Sequence, residues 1–189
     1  MIGSELIAKF ETQVDDITEL SASDELDLLN KVYNDVWSDR PWEFTKKGFS
    51  GAISGTSIAL PSDFAYIFGD EKIVKVGTVK YTLVSWSERA DYDSAGYCWV
   101  DIVNSLLVFS SSVSGTVTYD YIFFPADLTL ATSPAFPATF HHILYHLMAM
   151  EDYIIQQSDK AKSYAPENQA QADKWMTKLR YWNANLNLS

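Results

Sequence analysis

The stretch Thr116-Val117-Thr118-Tyr119-Asp120-Tyr121-Ile122-Phe123 decides the fold. Val117, Tyr119, Tyr121 and Phe123 alternate with Thr116, Thr118, Asp120 and Ile122. A period of two puts one set on the buried face of a strand. Pro125 follows at once, and proline cannot extend a ladder. Upstream, Trp99 to Phe109 reads as a hairpin turning near Asn104-Ser105. Lys72 to Trp86 is a β-branched and aromatic run interrupted at Gly77-Thr78, and Ser57 to Leu60 ends at Pro61. Asp91 to Gly96 is polar and reads as a loop. An antiparallel sheet is therefore expected from about residue 50 to 124.

On both sides of this region the period changes to 3.6. Leu6, Phe10, Val14 and Ile17 predict a first helix over 4–19. Leu26, Leu29, Val32, Tyr33, Val36 and Trp37 predict a second over 24–38, stopped by Pro41. A third, over 138–157, is apolar almost all round: Phe140, Ile143, Leu144, Leu147, Met148, Met150, Tyr153, Ile154, Ile155. Such a helix is central among its neighbours or covered by another subunit. Trp175, Leu179, Trp182 and Leu186 predict a fourth over 168–186. The expected fold is α+β: a four-helix bundle domain from residues 1–48 and 125–189, with an antiparallel β-sheet domain, 49–124, inserted between the second and third helices.

Formal net charge is -11. That excludes non-specific gripping of DNA or of an anionic membrane, both of which need excess Lys and Arg. Residues 1–40 hold ten acids against three bases, Lys9, Lys31 and Arg40. The acids are either a solvated helical face or a surface that repels DNA, with Glu11, Asp15 and Asp16 as candidate lumen-facing acids. Cys98 is the single cysteine and is expected to be buried and inert. The N-terminal residues lack the pattern of a signal peptide, and no apolar stretch approaches the length of a membrane span. A soluble protein made in a reducing cytoplasm is expected.

His141, His142 and His146 lie within six residues. His142 and His146 stand four apart, as zinc-protease histidines do, but Ile143 occupies the place of the general base. A polar cap or an interface role is the expected reading, with no metal and no cofactor. Gly-x-Ser-x-Gly, Gly-x-x-x-x-Gly-Lys and Gly-x-Gly-x-x-Gly do not occur. No catalytic residue is assigned and the chain is expected not to be an enzyme. Asn183 to Ser189 is polar and uncharged, either a frayed end or a segment that orders on a partner.

Three short stretches, in this order, carry a resemblance. Arg40-Pro41-Trp42-Glu43-Phe44 follows the second helix. Leu60-Pro61-Ser62-Asp63-Phe64 ends the first strand. Phe124-Pro125-Ala126-Asp127-Leu128-Thr129 follows the last strand, and Pro137-Ala138-Thr139-Phe140-His141 opens the third helix. Together, over roughly Leu26 to Tyr164, they resemble the head-to-tail adaptor proteins of tailed phages, the connector or gatekeeper-ring group. Each stretch also has a physical reading. Pro41 ends a helix and Trp42 and Phe44 plug a junction. Pro61 closes an edge strand before Phe64, and Pro125 closes another. Asp127 can cap the turn that follows, and Pro137 opens a helix.

The resemblance implies a homo-oligomeric ring, usually of twelve copies, under the portal protein in the virion neck. It implies helices around a DNA channel and β parts or loops that meet a tail or nozzle protein. DNA would pass without specific binding, and no membrane is involved. Asn183, Asn185, Leu186, Asn187, Leu188 and Ser189 are the candidate portal-docking residues. The alternatives are another neck protein, such as a stopper or tail terminator, a metal-dependent hydrolase using His142 and His146, and a host-directed binding module.

Overall fold

In the computed structural model, which describes residues 1–14, 20–69, 73–156 and 161–186, the chain divides into two compact units. Met1–Phe44 and Pro125–Ser189 form a helical unit; Thr45–Phe124 form a β unit.

The helical unit contains α1 (Gly3–Gln13), α2 (Ala22–Ser38), α3 (His142–Gln156) and α4 (Ala161–Leu186). Gly3 opens α1 where two backbones nearly touch. Its N–H donates to the Thr132 carbonyl at 2.9 Å, and a Cβ there would lie 2.3 Å from the Thr129 carbonyl oxygen. Only glycine fits. Ser21 caps α2: its hydroxyl accepts from the Asp24 N–H, and the Asp24 carboxylate accepts from the Ser21 N–H at 3.2 Å. Those bonds from Ser21 hold the Asp24 carboxyl below its ordinary pKa. A short 3-10 turn, Ala138–Phe140, leads into α3. Helix α4 starts seven residues before the expected 168, and Pro166 lies in its second turn. Proline withholds one N–H from the ladder, and its fixed φ is tolerated near a helix start. Expected residues 15–19 and 157 lie outside the described residues.

The β unit holds β1 (Lys46–Ala59), β2 (Phe64–Ile67), β3 (Ile73–Val76), β4 (Val79–Leu83), β5 (Tyr97–Asp101) and β6 (Leu106–Phe123). β1 runs antiparallel to β6 along its length, from Lys46 opposite Ile122 to Ala59 opposite Leu106, with a register shift between Gly55 and Ser57. The other edge of β6 is shared. β5 takes Leu106–Phe109, β3 takes Val117 and Thr118, and β2 takes Tyr121–Phe123. β3 and β4 form a hairpin through Gly77-Thr78, with Gly77 at φ +58. Glycine at the first central position suits a type II′ turn. β4 then pairs with β5 in parallel, Thr82 opposite Tyr97 and Leu83 opposite Cys98.

This corrects the expected fold in two places. The class is α+β, but the chain is not a four-helix bundle carrying an inserted antiparallel sheet. The strands β6, β3, β4 and β5 close on themselves as a four-strand barrel, and one of the contacts is parallel. The helices do not close as a bundle either. α1, α2 and α4 each pack on α3. Alternation in a strand assigns its faces; it does not say which strand sits on which edge. An eighteen-residue β6 is long enough to receive β3 near one end and β5 at the other. The apolar residues of the first turns of α3 belong to this central place, with Ile143, Leu144, Met148 and Ala149 fully buried.

The β core comprises Ile53, Phe64, Val74, Val76, Cys98, Leu107, Phe109, Val113, Val117 and Tyr119 among others. Ile122, placed on the polar face by alternation, is also buried. Cys98 is fully buried, its thiol pushed up to about 12 by burial and its sulfur 3.8 Å from the Thr82 carbonyl oxygen. Among the described residues no helix is long and apolar enough to cross a membrane.

The Tyr119 ring stacks on Phe49 at 4.7 Å, while its hydroxyl is buried with no hydrogen-bond partner among the described residues. A buried unpaired hydroxyl costs about 1–3 kcal/mol. Tyr119→Phe is therefore expected to match or exceed the native stability, by up to about 1 kcal/mol in urea unfolding. A clear loss of stability would show that the hydroxyl is satisfied.

Candidate functional site

The residues singled out by sequence fall into separate places. In the helical unit, Trp42 is fully buried and its indole N–H donates to the Val36 carbonyl at 2.9 Å. Phe44 stacks on Trp42 at 5.5 Å and meets Trp37, Phe136 and Trp182 at 5.7 to 6.4 Å. This cluster gathers the end of α2, the segment before α3 and the end of α4. Pro41 is exposed, and Pro137 opens the 3-10 turn by accepting from the Phe140 N–H at 2.9 Å. Asp127 is exposed. The turn beside it is held by Asn30 of α2, whose side chain accepts from the Leu128 N–H at 2.6 Å and donates to the Leu128 carbonyl at 3.1 Å.

In the β unit, the Pro61 carbonyl accepts from the Phe64 N–H at 3.1 Å, and Phe64 stacks on Tyr121 at 5.8 Å. Asp63, between them, receives the Tyr121 hydroxyl at 2.9 Å and the Lys47 ammonium at 2.5 Å. Both contacts lower its carboxyl pKa against the opposing effect of burial. Pro125 follows the last strand, half-buried.

Each histidine has its own polar neighbour. The His141 ring lies 2.9 Å from the Phe136 carbonyl oxygen and 3.1 Å from the N-terminal amine. Nδ1 of His142 lies 3.0 Å from the Tyr145 hydroxyl, and the ring faces Trp175 of α4. Nδ1 of His146 lies 2.6 Å from Asn168 Oδ1. Among the described residues no three His, Cys, Asp or Glu side chains are grouped to hold a metal ion. The histidine pair ties α3 to α4.

The candidate docking segment divides. Asn183 is helical and buried, and its side-chain oxygen accepts from the Glu43 N–H at 2.7 Å. Asn185 is exposed and donates to the Tyr181 carbonyl at 2.7 Å, and Leu186 ends α4 exposed. Asn187, Leu188 and Ser189 lie outside the described residues. Arg180 grips Asp39 at the end of α2, and those bonds hold the Asp39 carboxyl below its usual range. Of the acids, Glu11 is half-buried on α1, and Asp15 and Asp16 lie outside the described residues. Glu25 is 5% exposed, and burial followed by the Glu11 and Asp152 carboxylates raises its pKa.

Several apolar side chains are left in water, among them two of the third-helix residues expected to be covered by neighbours. Ile154 and Ile155 stand side by side near the end of α3, and Tyr181 is 74% exposed on α4. On the β unit, Ile102 and Val103, the latter 86% exposed, occupy the β5–β6 turn. Asp101 fixes that turn by accepting from the Asn104 N–H at 3.2 Å and side-chain amide at 2.8 Å. Period-based reading misses such residues because one exposed apolar side chain at a turn breaks no pattern.

A family model described as SU10 adaptor protein matches residues 1–185. No curated protein matches the chain.

Burial holds His141 and His146 below the ordinary histidine pKa, against the raising effect of their hydrogen-bond partners. A lowered folded pKa contributes stability that is present above about pH 6.5 and lost as pH falls below it. His146→Gln is expected to flatten the fall in melting temperature between about pH 7.5 and 5.5. An unchanged slope would show that His146 charges freely in the fold. Glu25 acts in the opposite sense at lower pH, its raised pKa returning stability as pH falls through the carboxyl range.

Proposed function

The chain belongs to the SU10 adaptor protein family, which makes it a structural adaptor protein of a phage and a virion component, and from that premise we propose that it forms a homo-oligomeric ring joining the portal to the tail and continuing the DNA channel. The observation that carries the reading is the family match over nearly the whole chain. A ring built from one chain uses two different faces of each copy, and rotation closes it. The resemblance to head-to-tail adaptors implies a ring of about twelve copies. Ile154, Ile155, Tyr181 and the Ile102-Val103 turn are apolar side chains in water that neighbours in such a ring would cover.

In this reading Glu11 of α1 faces the lumen, and the sequence candidates Asp15 and Asp16, outside the described residues, share that role. Residues 1–40 carry ten acids less three bases, so a duplex slides past without binding. The end of α4 docks on the portal. Among the described residues its exposed part is Ala184–Leu186, because Asn183 is committed to Glu43. The role is mechanical, with no cofactor and no reaction.

Two measurements test this. Negative-stain images of the purified chain mixed with portal are expected to show closed rings stacked on portal rings, and separate particles would contradict the reading. Deleting residues 187–189 is expected to leave the helical circular dichroism and melting temperature unchanged while removing co-sedimentation with portal. Deletion from residue 183 also removes the bond to Glu43 and lowers the melting temperature. Full binding by the shorter deletion would move docking to another surface.

A further inference from the structure

The segment Lys75-Val76-Gly77-Thr78-Val79-Lys80 is a palindrome of residue types about a turn. The hairpin realises it: Val76 faces Val79 and Lys75 faces Lys80 across β3 and β4. Side chains directly opposed across an antiparallel pair have Cβ atoms about 5 Å apart, and like charges there repel. Both lysines are exposed. Among the described residues neither has a carboxylate within ion-pair distance. Lys46 and Lys47, by contrast, lie over Phe68 and Phe123, and Lys47 also meets Asp63. The hairpin is held beside its turn, where Lys75 and Val76 pair with Thr118 and Val117 of β6 and the Gly77 N–H donates to the Thr116 carbonyl at 2.9 Å. Two cations are thus fixed side by side on a short ribbon at a cost that an anionic partner would offset.

We infer that the Lys75–Lys80 pair is an intersubunit docking element that seats on the exposed carboxylates at the start of α2 in a second copy of this chain. The partner is chosen by charge. Asp24 and Asp27 are both exposed on the first turns of α2. Residues three apart on a helix have Cβ atoms about 5–6 Å apart, the spacing of the two opposed lysines. Asp24 stays ionised because Ser21 bonds its carboxylate. A face of lysines on one copy and a face of aspartates on the next is the two-faced contact that a ring requires. The inference rests on the ring reading.

The test uses the full chain assembled on portal, with labelled and unlabelled copies mixed. A carbodiimide, which joins an amine to a carboxylate in contact, is expected to link Lys75 or Lys80 of one copy to Asp24 or Asp27 of another. Lys75→Glu with Lys80→Glu is expected to keep the monomer's melting temperature and to raise the concentration needed for ring assembly at least about tenfold, and added Asp27→Lys is expected to recover part of that loss. Native-like assembly of the double variant would overturn the inference and leave the ring reading standing. Failure of the native chain to form rings at all would overturn both. Unchanged assembly with lost binding to duplex DNA, or links only to portal or tail protein, would assign the pair to that other partner and overturn the inference.

Discussion

Strand β6 has hydrogen-bonded partners on both edges, and the β unit depends on that. One edge carries β1 along nearly all of its length. The other carries β5, then β3, then β2. β2 to β5 are each four or five residues long. Isolated pairs of that length are marginal in water. Anchored on β6 and closed through β4 and β5, β3 to β5 form with it a ring of four strands whose inner side chains share one core, while β2 lies on β6 outside the ring. Closure also removes edges that would otherwise template pairing with other chains.

The same closure makes the β unit useful to an adaptor. The Ile102-Val103 turn and the Lys75–Lys80 hairpin both spring directly from strands held by β6. Contact residues on rigid elements bind without the entropy cost of ordering a loop. The helical unit reaches rigidity differently. α3 is its shared partner, the Trp42–Phe44–Trp182 cluster gathers the ends, and Arg180 and Asn183 fasten α4 to the segment after α2. The acidic residues are concentrated here: residues 1–44 and 125–189 hold seventeen of the 25 acids and eight of the 14 bases.

The helices were legible because their apolar stripes repeat over three or more turns. The Leu6–Phe10–Val14 stripe and the Leu29–Val32–Tyr33–Val36 stripe both face the interior. Helix α4 began early because Ala161 to Glu167 has no stripe and contains Pro166, which points away from a helix. Strands were legible from alternation, yet their edges were not. Nothing local in Thr82 or Tyr97 announces that those residues pair in parallel. At the candidate sites, Asn183 looked like tail because its burial depends on Glu43, 140 residues away. Asn30 and Asp63 were passed over because a single polar residue takes its role from the backbone or hydroxyl it meets. The Lys75 and Lys80 pairing could have been found in the sequence, since a palindrome about Gly-Thr places like residues opposite each other.

The barrel closure is most directly tested by amide hydrogen exchange across the β unit. β5 lies on β6 along Cys98–Asp101 whether or not the sheet closes, and the closure itself consists of the bonds from the Thr82 and Val84 N–H groups to the Gly96 and Cys98 carbonyls, each 2.9 Å. The amides of Thr82 and Val84 are predicted to exchange as slowly as those of Val117 and Thr118, in one cooperative opening. Exchange at Thr82 and Val84 that is orders of magnitude faster, with Val117 and Thr118 still protected, would show an open sheet and contradict the account.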